Sequence, residues 1–243
     1  MLTRTTLLAA LVIAAGFALG GFFVGHGFSS SRLDDRFVTV KGVAEREVKA
    51  DLALWPLHFV SADPDLAGAQ ARLAENVRRT REFLAAAGLD ASQVELQGLR
   101  VTDAGANPYA EAQGPNRYVV NQVLMVRSAA PDLVLAASQA MGELVSAGVV
   151  LSSGPEWGSG GPTFLFTRLN DLKPEMIAEA TARAREAAEK FAGDSGSRIG
   201  GIRRANQGVF EILPRDAAPG VPQENQLFKT VRVVSTVEYY LGG

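Results

Sequence analysis

The chain has 243 residues, 47% of them hydrophobic, with 24 Lys and Arg against 26 Asp and Glu and a formal net charge of −2. That near-neutral balance, with no basic block, argues against a nucleic-acid binder, which needs cationic side chains to neutralise phosphates. Cysteine is absent, which excludes disulfides, a thiolate nucleophile, a Cys-based metal site and a lipid anchor on an N-terminal Cys.

At the N-terminus, Arg4 precedes an uncharged apolar run from Leu7 to Val24. Its eighteen residues, as a helix rising 1.5 Å per residue, would span roughly 27 Å, close to the hydrocarbon thickness of a bilayer. A cleaved signal peptide is the alternative, with Ala18-Leu19-Gly20 as its small-x-small site. The run stays apolar through Gly21 to Val24, which favours an uncleaved signal anchor over residues 1–27. Arg4 and the amino terminus, set against the cancelling Arg32, Asp34, Asp35 and Arg36, place the N-terminus inside and the bulk of the chain outside. The expected location is the inner membrane, single-pass, with the domain in the periplasm; after cleavage it would be free in the periplasm. Residues 28–36 read as a polar linker, and residues 37–243 as the extracytoplasmic domain, about 210 residues that can bury one core or two small ones.

Within that domain, period-two patterning predicts a strand at Phe37 to Val48, and a run with apolar residues on both faces predicts a second at Leu52 to Ser61. Pro56 in the second points to an edge position or a bulge, because it offers no N–H to a ladder. Further strands are expected at Val94 to Thr102, Arg117 to Ser128, Val149 to Ser152, Thr163 to Thr167, Ile202 to Ile212 and Lys229 to Leu241. Three helices interleave them, opening at Pro64-Asp65-Leu66, Pro131-Asp132-Leu133 and Pro174-Glu175-Met176. Proline suits the first helical position, where its missing N–H has no partner to lose, and the adjacent acid faces the positive end of the helix dipole. Asp63 is a candidate cap for the first helix. Glycines close the helices at Gly88, Gly148, and Gly193 or Gly196. Apolar stripes are expected at Leu66, Leu73, Val77, Thr80 and Leu84; at Val134, Ala137, Met141 and Leu144; and at Ile177, Ala180, Ala184, Ala187, Ala188 and Phe191. The small residues of the last stripe predict close approach to a sheet. The whole reads as an α+β fold with strands and three helices in layers, preceded by one transmembrane helix.

No constellation of catalytic residues emerges. His26 falls at the membrane boundary and His58 within a strand, and neither has a second histidine at metal spacing. There is no Gly-x-Ser-x-Gly elbow. Gly158-Ser159-Gly160-Gly161 precedes a proline and a strand, so it lacks the helix N-terminus a phosphate cradle needs. The carboxylate pairs Asp34-Asp35, Glu45 with Glu47, and Glu186 with Glu189 read as solvated surface charge. Trp55 reads as core, and Trp157 is isolated. The reading assigns no catalytic, cofactor-binding or metal residue and no cofactor; were a hydrolase site present, His58, Asp103 and Tyr109 would be its first candidates. The loops Asp103 to Asn116, Gly154 to Pro162 and Pro214 to Gln226 are the expected partner surfaces.

Several short pieces recur in a telling order. Val38-Thr39-Val40-Lys41-Gly42 leads into Glu47-Val48-Lys49-Ala50-Asp51-Leu52-Ala53; Gly88-Leu89 follows a helix. Asn107-Pro108-Tyr109 precedes Arg117-Tyr118-Val119-Val120, and an alanine-rich helix ends in Gly196-Ser197-Arg198-Ile199-Gly200. In order and spacing, from Phe37 to Tyr240, this resembles the SIMPL-domain family of exported bacterial proteins. The resemblance implies an α+β envelope protein without established catalytic residues, homo-oligomeric in some relatives and linked in others to oxidative-stress tolerance. The expected function is therefore non-enzymatic assembly at the envelope, with membrane and a second copy of the chain as partners. A sensory or adaptor domain is the alternative, and a hydrolase with an unrecognised site the weaker one.

Overall fold

A computed structural model describes residues 12–25, 36–106, 116–152 and 161–242. Its helices are α1 (residues 12–25), α2 (Leu66–Ala86), α3 (Pro131–Gln139), α4 (Met141–Ser146) and α5 (Leu169–Asp194). Its strands are β1 (Phe37–Lys49), β2 (Leu52–Asp63), β3 (Val94–Asp103), β4 (Tyr118–Ser128), β5 (Thr163–Leu165), β6 (Arg198–Gln207), β7 (Glu211–Pro214) and β8 (Phe228–Gly242). They form two four-stranded sheets, one ordered β1-β8-β6 with β7 also on β8, the other ordered β3-β4-β2-β5. The architecture is α+β, as the patterning predicts.

The expected span, Leu7 to Val24, lies partly outside the described residues. Its described part is helical, and Val12, Ile13, Phe17, Leu19, Phe22, Phe23 and Val24 are exposed on it. Among the described residues no helix is long and apolar enough to cross a membrane.

The chain divides into two compact units. One comprises residues 1–45, 173–211 and 232–243. Here Val38, Gly42 and Ala44 of β1 alternate inward, and Val237 and Tyr239 of β8 join Ala184 and Ala188 of α5 in a small core. The buried row of α5 is Met176, Ala180, Ala184, Ala188 and Ala192, one residue every four. Gly42 shows why the row must be small. A Cβ built on it would lie 1.8 Å from the Ala180 carbonyl oxygen and 2.5 Å from the Ala184 nitrogen. Backbone thus packs on backbone, and alanine and glycine are the residues that permit it. The expected sheet contact is present, but Ala187 and Phe191 fall on the exposed side. The helix also begins five residues before Pro174, so that proline lies inside it and not at its start. The Arg168–Asp171 ion pair at 2.9 Å spans its first turn.

The other unit comprises residues 46–172 and 212–231. β2 and β4 pair antiparallel over eleven residues, from Ala53↔Ser128 to Asp63↔Tyr118. That register sets Trp55 opposite Val126 and Leu57 opposite Leu124, with Phe59 and Val120 on the same face, all buried. Helix α2 covers this face with Ala69, Leu73, Val77, Thr80 and Leu84, and Val134 of α3 and Leu144 of α4 complete the core. Pro56 sits within β2, opposite Met125. Among the described residues β5 pairs with Leu52, Ala53 and Leu54 of β2 and stops short of Pro56, and Leu151 bridges Phe59 further along the same edge.

Local corrections have simple causes. Asp65, not Asp63, caps α2, its carboxylate accepting the Gly68 N–H at 3.3 Å. Asp63 ends β2 instead, accepting the Asp65 N–H at 3.0 Å and pairing with Arg72 at 2.7 Å. The second predicted helix breaks at Ala140 into α3 and α4. Val149 to Ser152 forms one bridge, Leu151↔Phe59, and no strand. The strand expected over Ile202 to Ile212 is two, β6 and β7, interrupted where Gly208 donates its N–H to the Val234 carbonyl at 2.9 Å.

Candidate functional site

The residues singled out for chemistry do not converge. His58 lies on the face of the β2–β4 sheet opposite the α2 core, half-buried with Pro56 and Val60 and across from Val123. Burial pushes its imidazole below the ordinary value. Asp103 ends β3 opposite Tyr118. Tyr118 and Val123 are five steps apart along β4, about 17 Å at the rise of an antiparallel strand, so Asp103 is out of reach of the imidazole. Asp103 is instead held by Arg117, with both N–H···O distances 2.9 Å, and this fork keeps its carboxyl below the usual range. The Arg117 guanidinium also lies 5.0 Å from the centre of the Tyr118 ring.

The carboxylate pairs are dispersed among cations. Glu45 binds Arg232 at 2.6 Å, Glu47 lies 4.0 Å from Arg215, and Glu189 binds Arg185 at 2.8 Å. Trp55 is fully buried, as expected. Among the described residues no cluster of His, Asp and Glu could hold a metal ion. His26, the Asp34-Asp35 pair, Tyr109, Trp157 and Gly158 to Gly160 lie outside the described residues, as do most of the loops Asp103 to Asn116 and Gly154 to Pro162. In the third loop, the Asp216 N–H donates to the Gln226 side chain at 3.1 Å and the Gln226 amide donates back to the Asp216 carbonyl at 2.9 Å.

The surface feature that stands out is one that strand patterning missed. β3 is the edge strand of its sheet, and no strand pairs with its outer side among the described residues. Large apolar side chains are exposed along it: Leu96 at 38%, Leu99 at 58% and Val101 at 44%. Between this edge and α2 runs an apolar groove of about 680 Å³, with Leu73, Val77, Leu96 and Leu99 on its walls and Arg78 and Arg81 on its rim. The rim carries a cluster of ion pairs. Arg78 bonds Glu75 at 2.6 Å and Glu82 at 2.6 Å, and Arg79 bonds Glu75 at 2.7 Å, which lowers the Glu75 carboxyl to about 2.

A bulge makes the groove wall. Gln97 pairs with Val123 and Arg100 with Asn121, so Gly98 and Leu99 share the place opposite Gln122. Gly98 takes φ +57°, a left-handed conformation that glycine adopts without steric cost. In a regular strand Leu96 and Leu99, three apart, would face opposite sides. The extra residue turns both into the groove and puts Glu95 and Arg100 together on the other face. The only sequence signal was Gly98 between two leucines.

A buried lysine was also not foreseen. Lys229 of β8 is 1% exposed and its ammonium donates to the Gln223 carbonyl; burial lowers its pKa.

No match was found among curated proteins. A family profile described as SIMPL, protein of unknown function (DUF541), matches residues 38–239, nearly the whole of the part that follows the linker. With two antiparallel sheets, an alanine-faced helix and that profile in agreement, the chain belongs to the SIMPL family.

Proposed function

We propose that this SIMPL protein is anchored in the inner membrane by its N-terminal helix, with its domain in the periplasm, and that it acts there by self-association and binding, without catalysis. The observation that carries this reading is the exposed edge of β3. An open edge with large apolar side chains beside an apolar groove is a surface that monomeric proteins avoid, because it invites pairing. The anchoring is supported by the apolar run Leu7 to Val24 and by the phenylalanines and valines exposed on α1. The suggested link to stress tolerance comes from the family resemblance alone.

The test is the subunit count of the full-length protein after gentle extraction, by light scattering corrected for detergent, with the intact chain mass read from the same sample. A discrete multimer that retains residues 1–24 is expected. A monomer lacking them would overturn both parts of the reading and leave a protein released into the periplasm after cleavage. The groove also supports a sensory or adaptor role, since its volume falls within the usual 300–1,000 Å³ of ligand pockets. A small apolar compound that raises the melting temperature would favour that role, because a ligand of the folded state stabilises it.

A further inference from the structure

The sequence of β3 is complementary to its own reverse. Val94-Glu95-Leu96-Gln97 is followed by Gly98-Leu99-Arg100-Val101. Run antiparallel against a second copy about a two-fold axis between Gln97 and Gly98, Val94 meets Val101, Glu95 meets Arg100, and Leu96 meets Leu99. Each pair occurs twice, as an isologous interface requires. From this we infer that β3 pairs with β3 of a second copy in this register, joining two four-stranded sheets into one of eight. The inference rests on the self-association proposed above and names its surface.

Three features of the strand support this occupant. First, the bulge makes the faces agree. Val94 and Val101 lie opposite the buried Val126 and Val120, and Leu96 and Leu99 line the α2 groove, so all four apolar residues share one face. Glu95 and Arg100 lie opposite Met125 and Asn121 on the other face. Without the extra residue, this register would set every side chain against one on the wrong face. Second, the charges match. Glu95 and Arg100 are both exposed, and the Glu95 carboxylate accepts a hydrogen bond from the Gln97 amide at 3.3 Å. Opposite charges directly across a strand pair are favourable, and like charges unfavourable. Third, β6, which is one edge of the other sheet, does not share this property. β6 carries Arg198, Arg203 and Arg204 and no acid, so pairing with itself would bring like charges together.

Two measurements on the full-length chain in mild detergent test the register. Glu95→Arg and Arg100→Glu each place like charges in two symmetric pairs, and each is expected to raise the dissociation constant about tenfold. The double variant Glu95→Arg/Arg100→Glu exchanges the charges and is expected to restore association. Both positions are on the surface, where substitutions leave stability nearly unchanged. Because the chain has no native cysteine, Leu96→Cys and Leu99→Cys variants report contact without background. Mixed and oxidised, they are expected to form a disulfide-linked dimer that neither forms alone. If wild type associates but the mixture does not cross-link, or the double variant is no better than the single ones, the β3 pairing is wrong and the assembly uses another surface. If wild type stays monomeric at every concentration, the assembly reading falls, and this register with it.

Discussion

Gly42 and His58 show how single residues carry the packing and the pH response. At Gly42 a methyl group has no room, because the atoms it would meet are backbone atoms of α5 that cannot rotate away. Gly42→Ala is therefore expected to cost about 3 kcal/mol, at the upper end of overpacking effects. Urea unfolding reads it, and a change below about 0.5 kcal/mol would contradict the close approach. His58 has a folded-state pKa below 6.5, so as pH falls the unfolded chain takes up the proton first. Stability is full above 6.5 and declines as pH drops below it. In His58→Phe the decline between pH 6.5 and 5 should be shallower, as denaturation at the two pH values would reveal.

Elements are governed by the spacing of small and charged side chains. The buried row of α5 steps by four residues through Ala180, Ala184 and Ala188, whereas Ala187 faces water. Ala184→Leu is expected to lose about 1–3 kcal/mol by overpacking, while Ala187→Leu stays within about 0.5 kcal/mol of wild type. Equal effects at the two positions would mean that the helix is rotated from the orientation described. On α2, Arg78 and then Arg79 hold Glu75 at a pKa of about 2 against an ordinary 4.5. The contribution of this cluster is present above pH 4.5 and is lost as pH falls from there towards 2. Glu75→Gln should flatten that part of the acid-unfolding curve, and an unchanged curve would show that solvent screens the cluster entirely.

Over the whole molecule, a near-neutral chain must keep its apolar surface from associating indiscriminately. Exposed large apolar residues cluster on α1, and Leu96, Leu99 and Val101 line the open edge of β3. On the proposed anchoring, the full chain is expected in the detergent-rich phase of a phase-separation assay, and a chain lacking residues 1–35 in the aqueous phase. Finding the full chain in the aqueous phase would remove the anchor.

What was legible in the sequence were features with a local cause. Alternation marked β1, because a strand with one buried face repeats every two residues, and apolar runs marked β2, β4 and β8. Gly88 and Gly148 marked the ends of α2 and α4, and both adopt positive φ. Pro131 opened α3 as expected, yet Pro174 misled, because a proline in the second turn of a helix looks the same in sequence as one at its start. The order of short pieces from Val38 to Tyr240 was enough to place the family. What the sequence by itself determined, then, was the fold class and most of the core faces, which follow from periodicity and turn chemistry, and the family, which follows from resemblance along the chain. Only the tertiary structure decided that His58 and Asp103 stand apart, that α5 approaches β1 backbone to backbone, and that Leu96 and Leu99 share a groove. Those facts depend on register, on a bulge and on which strand lies at the edge. They are relations between distant segments, and no local pattern encodes them.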